Sequence, residues 1–271
     1  MVDKQTLERL YARYNRREFV HPDPLEFLYD YRDLRDREIV ALIASSLAYG
    51  RVAQILRSVS GVLDRLGPSP YEFLLDTSSD GLRSLFSGFK HRFTTGGELV
   101  KLLIATRRVV RCYGSLRECF GAGLKDGDDT VMPALERFVD ELRLARSQRD
   151  VSNSLLPSPR LGSACKRLNL FLRWMVRQDN VDPGGWQNVE ASRLVVPLDT
   201  HIHRMGLALR LTDRKSPGIR CALEITEALR GFAPDDPVRY DFAMTRLGIR
   251  EDADPESFLE ECRRRGDEAH A

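Results

Sequence analysis

The chain has 271 residues, enough to bury a sizeable core in one large domain or in two smaller lobes. Hydrophobic residues make up 42% and charged residues 30%, no apolar run approaches membrane-spanning length, and the N-terminus lacks a signal peptide's pattern, so we expect a cytoplasmic protein without membrane contact. The net charge is only +2. The five cysteines are scattered and form no Cys-x-x-Cys pair, which argues against a disulfide framework, a structural zinc site and an iron–sulfur cluster.

Helical spacing of apolar residues dominates the chain from its first third onward. Residues 38–49 form an apolar segment stopped by Gly50, and the next segment, 55–66, has apolar residues at spacings of four, three and four before Gly67 and Pro68. Ser216 and Pro217 indicate an N-cap followed by proline at the first helical position. No segment alternates with a period of two, so the pattern predicts an all-α fold. The remaining predicted helices cover about 71–76, 97–111, 130–147, 163–178, 200–210, 217–230 and 237–247.

Three polar segments break this helical pattern. They lie at 121–129, 151–162 and 179–192, and none has the composition of a flexible tether between domains. We therefore expect two helical lobes that meet around residues 163–200.

The predicted helix over residues 163–178 carries a row of cations. At about 100° per residue, Lys166, Arg173 and Arg177 fall within about 60° of one another, while Phe171 lies on the opposite, apolar side. Residues 143–177 hold eight basic residues and one acid, a local charge of about +7. This predicts a solvated cationic face, either without function or in contact with nucleic acid phosphates.

A second chemically suggestive residue follows 33 positions after Lys166. Asp199 stands where a helix should begin, since Ile202, Met205 and Leu209 follow at helical spacing, so it is expected to be an N-cap. His201 and His203 extend the pattern to Asp-x-His-x-His. Residues two apart on a helix point about 200° apart, so we expect no metal site here.

Several segments together resemble the helix-hairpin-helix DNA glycosylases. Leu-Asp-Thr-His-Ile at 198–202 resembles their aspartate motif, residues 155–164 lie where their phosphate-binding hairpin is found, and residues 166–177 lie where their catalytic lysine helix is found. The wide spacing between lysine and aspartate is similar to that of archaeal 8-oxoguanine DNA glycosylases. The resemblance covers roughly residues 25–250 and is to an uncharacterised bacterial family related to those enzymes. Further segments that carry it are 38–50, 89–93 and 240–248.

The resemblance implies a two-lobed fold and a base-excision activity. One helical-barrel lobe, residues 36–178, would end in the hairpin and the lysine helix, and residues 1–35 and 179–271 would form the second lobe, with the Asp199 motif. The expected partner of this monomeric protein is double-stranded DNA with a damaged base, and no cofactor is expected. Lys166 would be the nucleophile that forms a Schiff base during release of an oxidised purine such as 8-oxoguanine and in the following lyase step, and Asp199 would stabilise positive charge on the sugar. The residues expected to bind DNA are Gly162, Arg167, Arg173 and Arg177, and those expected near the base are Asp241 and Phe171.

This chain also departs from that pattern. Family hairpins typically read Leu-Pro-Gly-x-Gly, whereas Ser158 and Arg160 stand here and only Gly162 is kept. The residue that fills the space left by the flipped base is open between Leu47 and Tyr49, and Asp241 could equally cap a helix that begins near residue 238. Two other functions therefore stay open. One is a non-catalytic DNA-binding or scaffold protein that retains the fold, and the other is a helical protein that binds or modifies RNA.

Overall fold

Helices account for nearly all of the regular structure. The computed structural model describes residues 2–143, 154–250 and 253–268, with side chains up to residue 262. The predicted all-α class is confirmed. The helices are α1 Lys4–Tyr14, α2 Leu34–Ser46, α3 Val52–Leu66, α4 Pro70–Asp76, α5 Ser79–Leu85, α6 Gly96–Tyr113, α7 Leu116–Gly121, α8 Met132–Arg143, α9 Lys166–Val176, α10 Thr200–Ala208, α11 Ile219–Arg230, α12 Asp241–Ile249 and α13 Pro255–Glu268. Short 3₁₀ turns lie at Arg17–Phe19, Pro24–Asp30, Pro159–Leu161 and Ala191–Arg193.

A small hairpin interrupts the helices between α5 and α6. Strand β1, Lys90–His91, pairs antiparallel with β2, Thr94–Thr95. Two-residue strands are too short to show alternation, so the sequence pattern did not predict them. Thr95 then begins α6 with a capping box, because its side chain accepts from the N–H of Glu98 while the Glu98 carboxylate accepts from the N–H of Thr95.

Several helix boundaries differ from the predicted ones. Helix α3 ends at Leu66 as expected, and Gly67, with φ of 74°, terminates it. The N-cap of α11 is Gly218 instead of Ser216, so the helix begins two residues beyond the predicted proline start. Helices α1, α5, α7 and α13 were not predicted, and the predicted extension of α8 to residue 147 lies outside the described residues.

Helix α2 is the central element that positions the rest. Ten of its residues are buried, from Asp36 through Ser46, so it is covered on all sides, and α9 packs along it. The buried carboxylate of Glu38 joins two other parts of the chain to α2, because it accepts hydrogen bonds from the Trp186 indole and from the backbone N–H of Leu116, both at 2.8 Å. Trp186 in turn donates its backbone N–H to the carbonyl oxygen of Met175 in α9 at 2.8 Å, which ties the end of α9 to the same part of the molecule.

The hydrophobic core is one continuous cluster. It runs from Val2 to Cys262 and includes buried residues from every described helix of both predicted lobes. Helix α1 packs against α12, so the N-terminal and C-terminal parts of the chain are neighbours. The division at residues 35/36 and 178/179 stays a prediction.

Candidate active site

Lys166 is the first residue of α9. The residue before it, Cys165, has a left-handed backbone with φ of 47°, and its side chain makes no capping hydrogen bond to α9. Basic residues are favoured in the last turn of a helix and disfavoured in the first, because the N-terminus carries partial positive charge. Lys166 therefore occupies a position that helix stability alone would not select.

Asp199 uses its two carboxylate oxygens in different ways. The Oδ1 atom accepts hydrogen bonds from the backbone N–H groups of His201 and Ile202, both at 2.9 Å, so the predicted N-cap of α10 is confirmed. The Oδ2 atom lies 3.9 Å from Nζ of Lys166. The Lys166 side chain is 31% exposed and that of Asp199 is 24% exposed, so both stand at the edge of the protein where a ligand can reach them. The structure thus places together the amine and the carboxylate that the sequence singled out.

Arg173 lies further along α9 and is buried. Its guanidinium donates to Asp182 Oδ1 at 3.0 Å and to Asp241 Oδ2 at 2.5 Å. Its side chain is only 4% exposed, so it cannot reach a DNA phosphate in this structure. The prediction that Arg173 binds phosphates is wrong, because the acids of the following loop and of α12 cover this part of α9.

The prediction that Arg177 binds phosphates is wrong for the same reason. It follows α9 directly, is buried, and makes ion pairs with three carboxylates, those of Asp179, Asp182 and Asp236. The predicted cationic stripe therefore exists only at its Lys166 end. The basic segment 143–177 ends two residues before Asp179, the first of these acids, so its charge of about +7 did not include the carboxylates that pair with Arg177.

Asp241 belongs to this buried network and does not cap α12. It is the first residue of α12, but its side chain makes no capping bond, and one carboxylate oxygen, Oδ1, is buried without a hydrogen-bond partner among the described residues. Burial raises the pKa of Asp241 to about 6; the ion pair with Arg173 opposes this shift, and the nearby charge of Asp199 adds to it. Direct contact with a base is not supported, because Asp241 is 2% exposed and already paired.

Phe171 is also not at a base pocket. Its side chain is fully buried on the far side of α9, stacked with Phe138 at 6.1 Å between ring centroids and edge-on to Trp186 at 5.2 Å. The prediction is corrected: Phe171 packs the core between α8 and α9.

Arg167 connects three segments. Its guanidinium donates to the carbonyl oxygen of Ser46 at 2.8 Å and to that of Ser154 at 2.5 Å, and it lies over the ring of Tyr49 at 5.2 Å. Burial lowers the pKa of Arg167, and within residues 2–143, 154–250 and 253–268 no carboxylate forms an ion pair with it. A contact between Arg167 and DNA stays a prediction.

Gly162 follows the turn Pro159–Leu161 and has a left-handed backbone with φ of 73°. It lines an open cavity of about 400 Å³ with basic residues Arg214, Lys215 and Arg220, and its carbonyl oxygen accepts from the N–H of Ile219. The hairpin segment and the start of α11 thus lie side by side in a basic setting, four residues before Lys166.

Asn169 is a buried polar residue on α9 for which no role was predicted. It lies one helical turn after Lys166 and four residues before Arg173, so these three polar residues share one face of α9. Its Nδ2 donates to the carbonyl oxygen of Ala164 at 2.9 Å, which ties the hairpin segment to α9. The sequence signal for Asn169 was a single uncharged polar residue among apolar ones, three residues after Lys166 and four before Arg173.

In the described ranges, no helix combines the length and apolar character needed to cross a bilayer. The same residues hold no group of three His, Cys, Asp or Glu side chains arranged to bind a metal ion. His203 instead contacts the carbonyl oxygen of Arg214 at 2.7 Å.

Comparison with known proteins identifies the family of this chain. Neither a search of the curated proteins nor a search of the solved structures finds a relative. Residues 23–250 match a family described as "Protein of unknown function (DUF2400)", and this range is most of the chain. The chain therefore belongs to the DUF2400 family.

Proposed function

We propose that this protein is a DNA glycosylase with an associated lyase activity, which releases an oxidised purine such as 8-oxoguanine from double-stranded DNA. The observation that carries the proposal is the pair formed by Lys166 and Asp199, with Nζ and Oδ2 separated by 3.9 Å at a partly exposed position. The resemblance of residues 155–177 and 198–202 to the helix-hairpin-helix glycosylases supports the same reading.

The first chemical task falls to Asp199. A damaged base must leave the helical stack before its glycosidic bond can be reached. As the bond from C1′ to the base nitrogen breaks, its electron pair leaves with the base and positive charge builds on the sugar. The Oδ2 oxygen of Asp199 is free of the helix cap and stabilises that charge electrostatically.

The second task falls to Lys166. Its ammonium group gives up a proton, which ends on the departing base, and the neutral amine attacks C1′ and forms a new carbon–nitrogen bond as the bond to the base breaks. Opening of the sugar ring converts this bond to an imine. Loss of a proton from C2′ then expels the 3′ phosphate, so the strand breaks by β-elimination while the imine remains to be hydrolysed.

The buried ion pairs act as support. Arg173 pairs with Asp182 and neutralises Asp241, whose charge interacts with that of Asp199. Without Arg173, the buried carboxylates of Asp182 and Asp241 would lose the cation between them, which is costly. For DNA backbone contact, the cavity at Gly162 with the exposed Lys215 and Arg220 replaces the buried arginines as the candidate surface, since Arg214 there is already paired with Glu224.

A panel of duplexes tests the proposal, each carrying one damaged base, with base release and strand scission scored separately. We expect release from an oxidised purine, and a loss of at least about 100-fold in Asp199→Asn, the scale of removing one electrostatic group from an active site. Asparagine also caps helices well, so the melting temperature should stay nearly unchanged. Full activity in a folded Asp199→Asn protein would remove Asp199 from the chemistry. DNA binding without release of any base would favour the non-catalytic DNA-binding alternative.

A further inference from the structure

Phe93 is a large aromatic residue whose side chain is exposed to solvent. It lies in the two-residue turn between β1 and β2, and 63% of its surface is exposed. Its neighbour Arg92 has a left-handed backbone with φ of 54°, an uncommon conformation for a residue with a side chain. Single exposed apolar residues need no explanation by themselves. Phe93 differs because of what holds it and what surrounds it.

The ring of Phe93 is supported from below by Tyr49. The two rings stack at 4.8 Å between centroids and 23° between planes. The Tyr49 hydroxyl bridges the hairpin, 2.9 Å from the carbonyl oxygen of His91 and 2.6 Å from the hydroxyl of Thr94. The His91 imidazole contacts the Ser58 hydroxyl at 2.9 Å and the Tyr49 carbonyl oxygen at 3.1 Å. One face of Phe93 is therefore packed on a fixed platform.

The surroundings of Phe93 are cationic. Residues 49–63 and 89–97 include Arg51, Arg57, Lys90 and Arg92 and no acidic residue. All four of these cations are exposed, and the described residues supply none of them with an ion pair. An exposed planar apolar side chain on segments that carry exposed, unpaired cations is complementary to a nucleic acid strand, in which flat bases alternate with phosphates.

This surface adjoins the candidate active site. The Tyr49 ring stacks on Phe93 and also lies under the Arg167 guanidinium, 5.2 Å from its centroid. Arg167 directly follows Lys166 in α9. The exposed ring is thus joined through Tyr49 and Arg167 to the first turn of α9, the turn that also carries Lys166. Leu47, one of the two residues considered for filling the gap left by a flipped base, is fully buried.

We propose that Phe93 stacks on a nucleobase of the bound DNA strand, with Tyr49 as its fixed support and the surrounding cations contacting the phosphates. Aromatic side chains that insert at a base step also help to unstack it. The proposal rests on the proposed function, because it takes DNA as the ligand. It adds a contact that neither Lys166 nor Asp199 makes.

A tryptophan at position 93 provides a direct readout. The two native tryptophans, Trp174 and Trp186, are buried, so their fluorescence should respond little to a ligand at the surface. In Phe93→Trp, emission should fall when a duplex carrying a tetrahydrofuran abasic-site analogue is added, and the wild type should show little change. DNA binding without any quenching of the new indole would overturn the proposal.

The affinities of Phe93 variants for the same duplex distinguish stacking on a base from a general hydrophobic contact. Phe93→Ala should weaken binding by about five- to 100-fold, the range for losing one base–aromatic stack, with Phe93→Leu intermediate and Phe93→Trp close to wild type. Leu85→Ala, at another exposed apolar position (37% exposed), serves as the surface control and should bind normally.

The outcomes distinguish this inference from the function on which it rests. If the wild type releases a damaged base and Phe93→Ala binds as tightly as wild type, the stacking role is wrong while the glycosylase proposal stands. If the wild type neither binds the duplex nor releases any base from the damaged-base panel, both proposals fail together.

Discussion

At the scale of single residues, the buried ionisable groups are the most informative. Glu38 lies at the centre of the molecule on α2, and burial raises its pKa from 4.5 to about 7, although hydrogen bonds from Trp186 and Leu116 oppose the shift. Asp241 behaves in the same way near the candidate site, with a pKa of about 6. Such groups make the free energy of unfolding depend on pH, because the folded and unfolded chains hold different numbers of protons.

The Glu38 carboxyl gives a prediction with a definite sign. Between pH 4.5 and 7 the folded protein keeps a proton that the unfolded chain has lost, so the free energy of unfolding falls as pH rises through this window and is level above it. The shift corresponds to about 3 kcal/mol. Glu38→Gln has no proton to lose, so the wild-type stability relative to the variant should fall by about that amount from pH 4.5 to 7.

Denaturant titrations of both proteins across this pH range measure the effect. Asp182 and Asp241 titrate in both proteins, so their contribution cancels in the difference. A difference that stays constant with pH would show that Glu38 is ionised in the folded protein throughout the range.

At the scale of elements, α9 changes character along its length. Its first residue, Lys166, is partly exposed beside Asp199, whereas Arg173 is buried among carboxylates. The helical periodicity correctly placed these cations on one side of α9, but periodicity does not say which neighbour covers that side. The covering acids come from residues 179–182 and from α12, and those contacts are set by tertiary packing.

Because Arg173 is buried, replacing it should lower the stability of the fold and should not directly weaken DNA binding. Arg173→Met keeps similar volume but leaves Asp241 without its partner, so unfolding should become easier by about 3–5 kcal/mol at pH 7. The loss should be smaller at pH 5, because Asp241 can then accept a proton. The exposed Arg160, which pairs with Glu136 and Asp140, provides the control, and Arg160→Met should leave the free energy of unfolding nearly unchanged because solvent screens its ion pairs.

Chemical denaturation of the two variants beside the wild type checks this prediction. A stable Arg173→Met protein with a reduced salt dependence of DNA binding would contradict the buried ion-pair role and restore the phosphate role.

At the scale of the whole molecule, the sequence predicted local features better than features that depend on contacts between distant segments. The all-α class, the Asp199 cap and the end of α3 at Gly67 follow from short-range rules of helix formation, and all three are confirmed. Whether Arg173, Arg177 and Phe171 are buried or exposed depends on which elements pack against α9. Local sequence patterns do not contain this information, so the roles of these residues were predicted wrongly. Phe93 and its Tyr49 support were also missed, since they are 44 residues apart and meet only through a hairpin too short to show a strand pattern.

The continuous core has a further consequence for the candidate site. Lys166 and Asp199 come from opposite sides of the predicted lobe boundary, and the same core cluster extends beneath both. Their separation is therefore held by packing of α9 and α10 into one body of hydrophobic residues. A rigid scaffold of this kind is suited to holding two reactive groups at a fixed spacing.

Borohydride trapping on a duplex with a preformed abasic site tests the central claim most directly, because the reagent reduces an imine to a stable amine and leaves the protein attached to the DNA. We expect a covalent adduct with the wild type and with Lys101→Gln, an exposed lysine on α6, and none with a folded Lys166→Gln protein. Adduct formation that persists in Lys166→Gln would place the nucleophile elsewhere, and release of a damaged base without any adduct would contradict the Schiff-base mechanism.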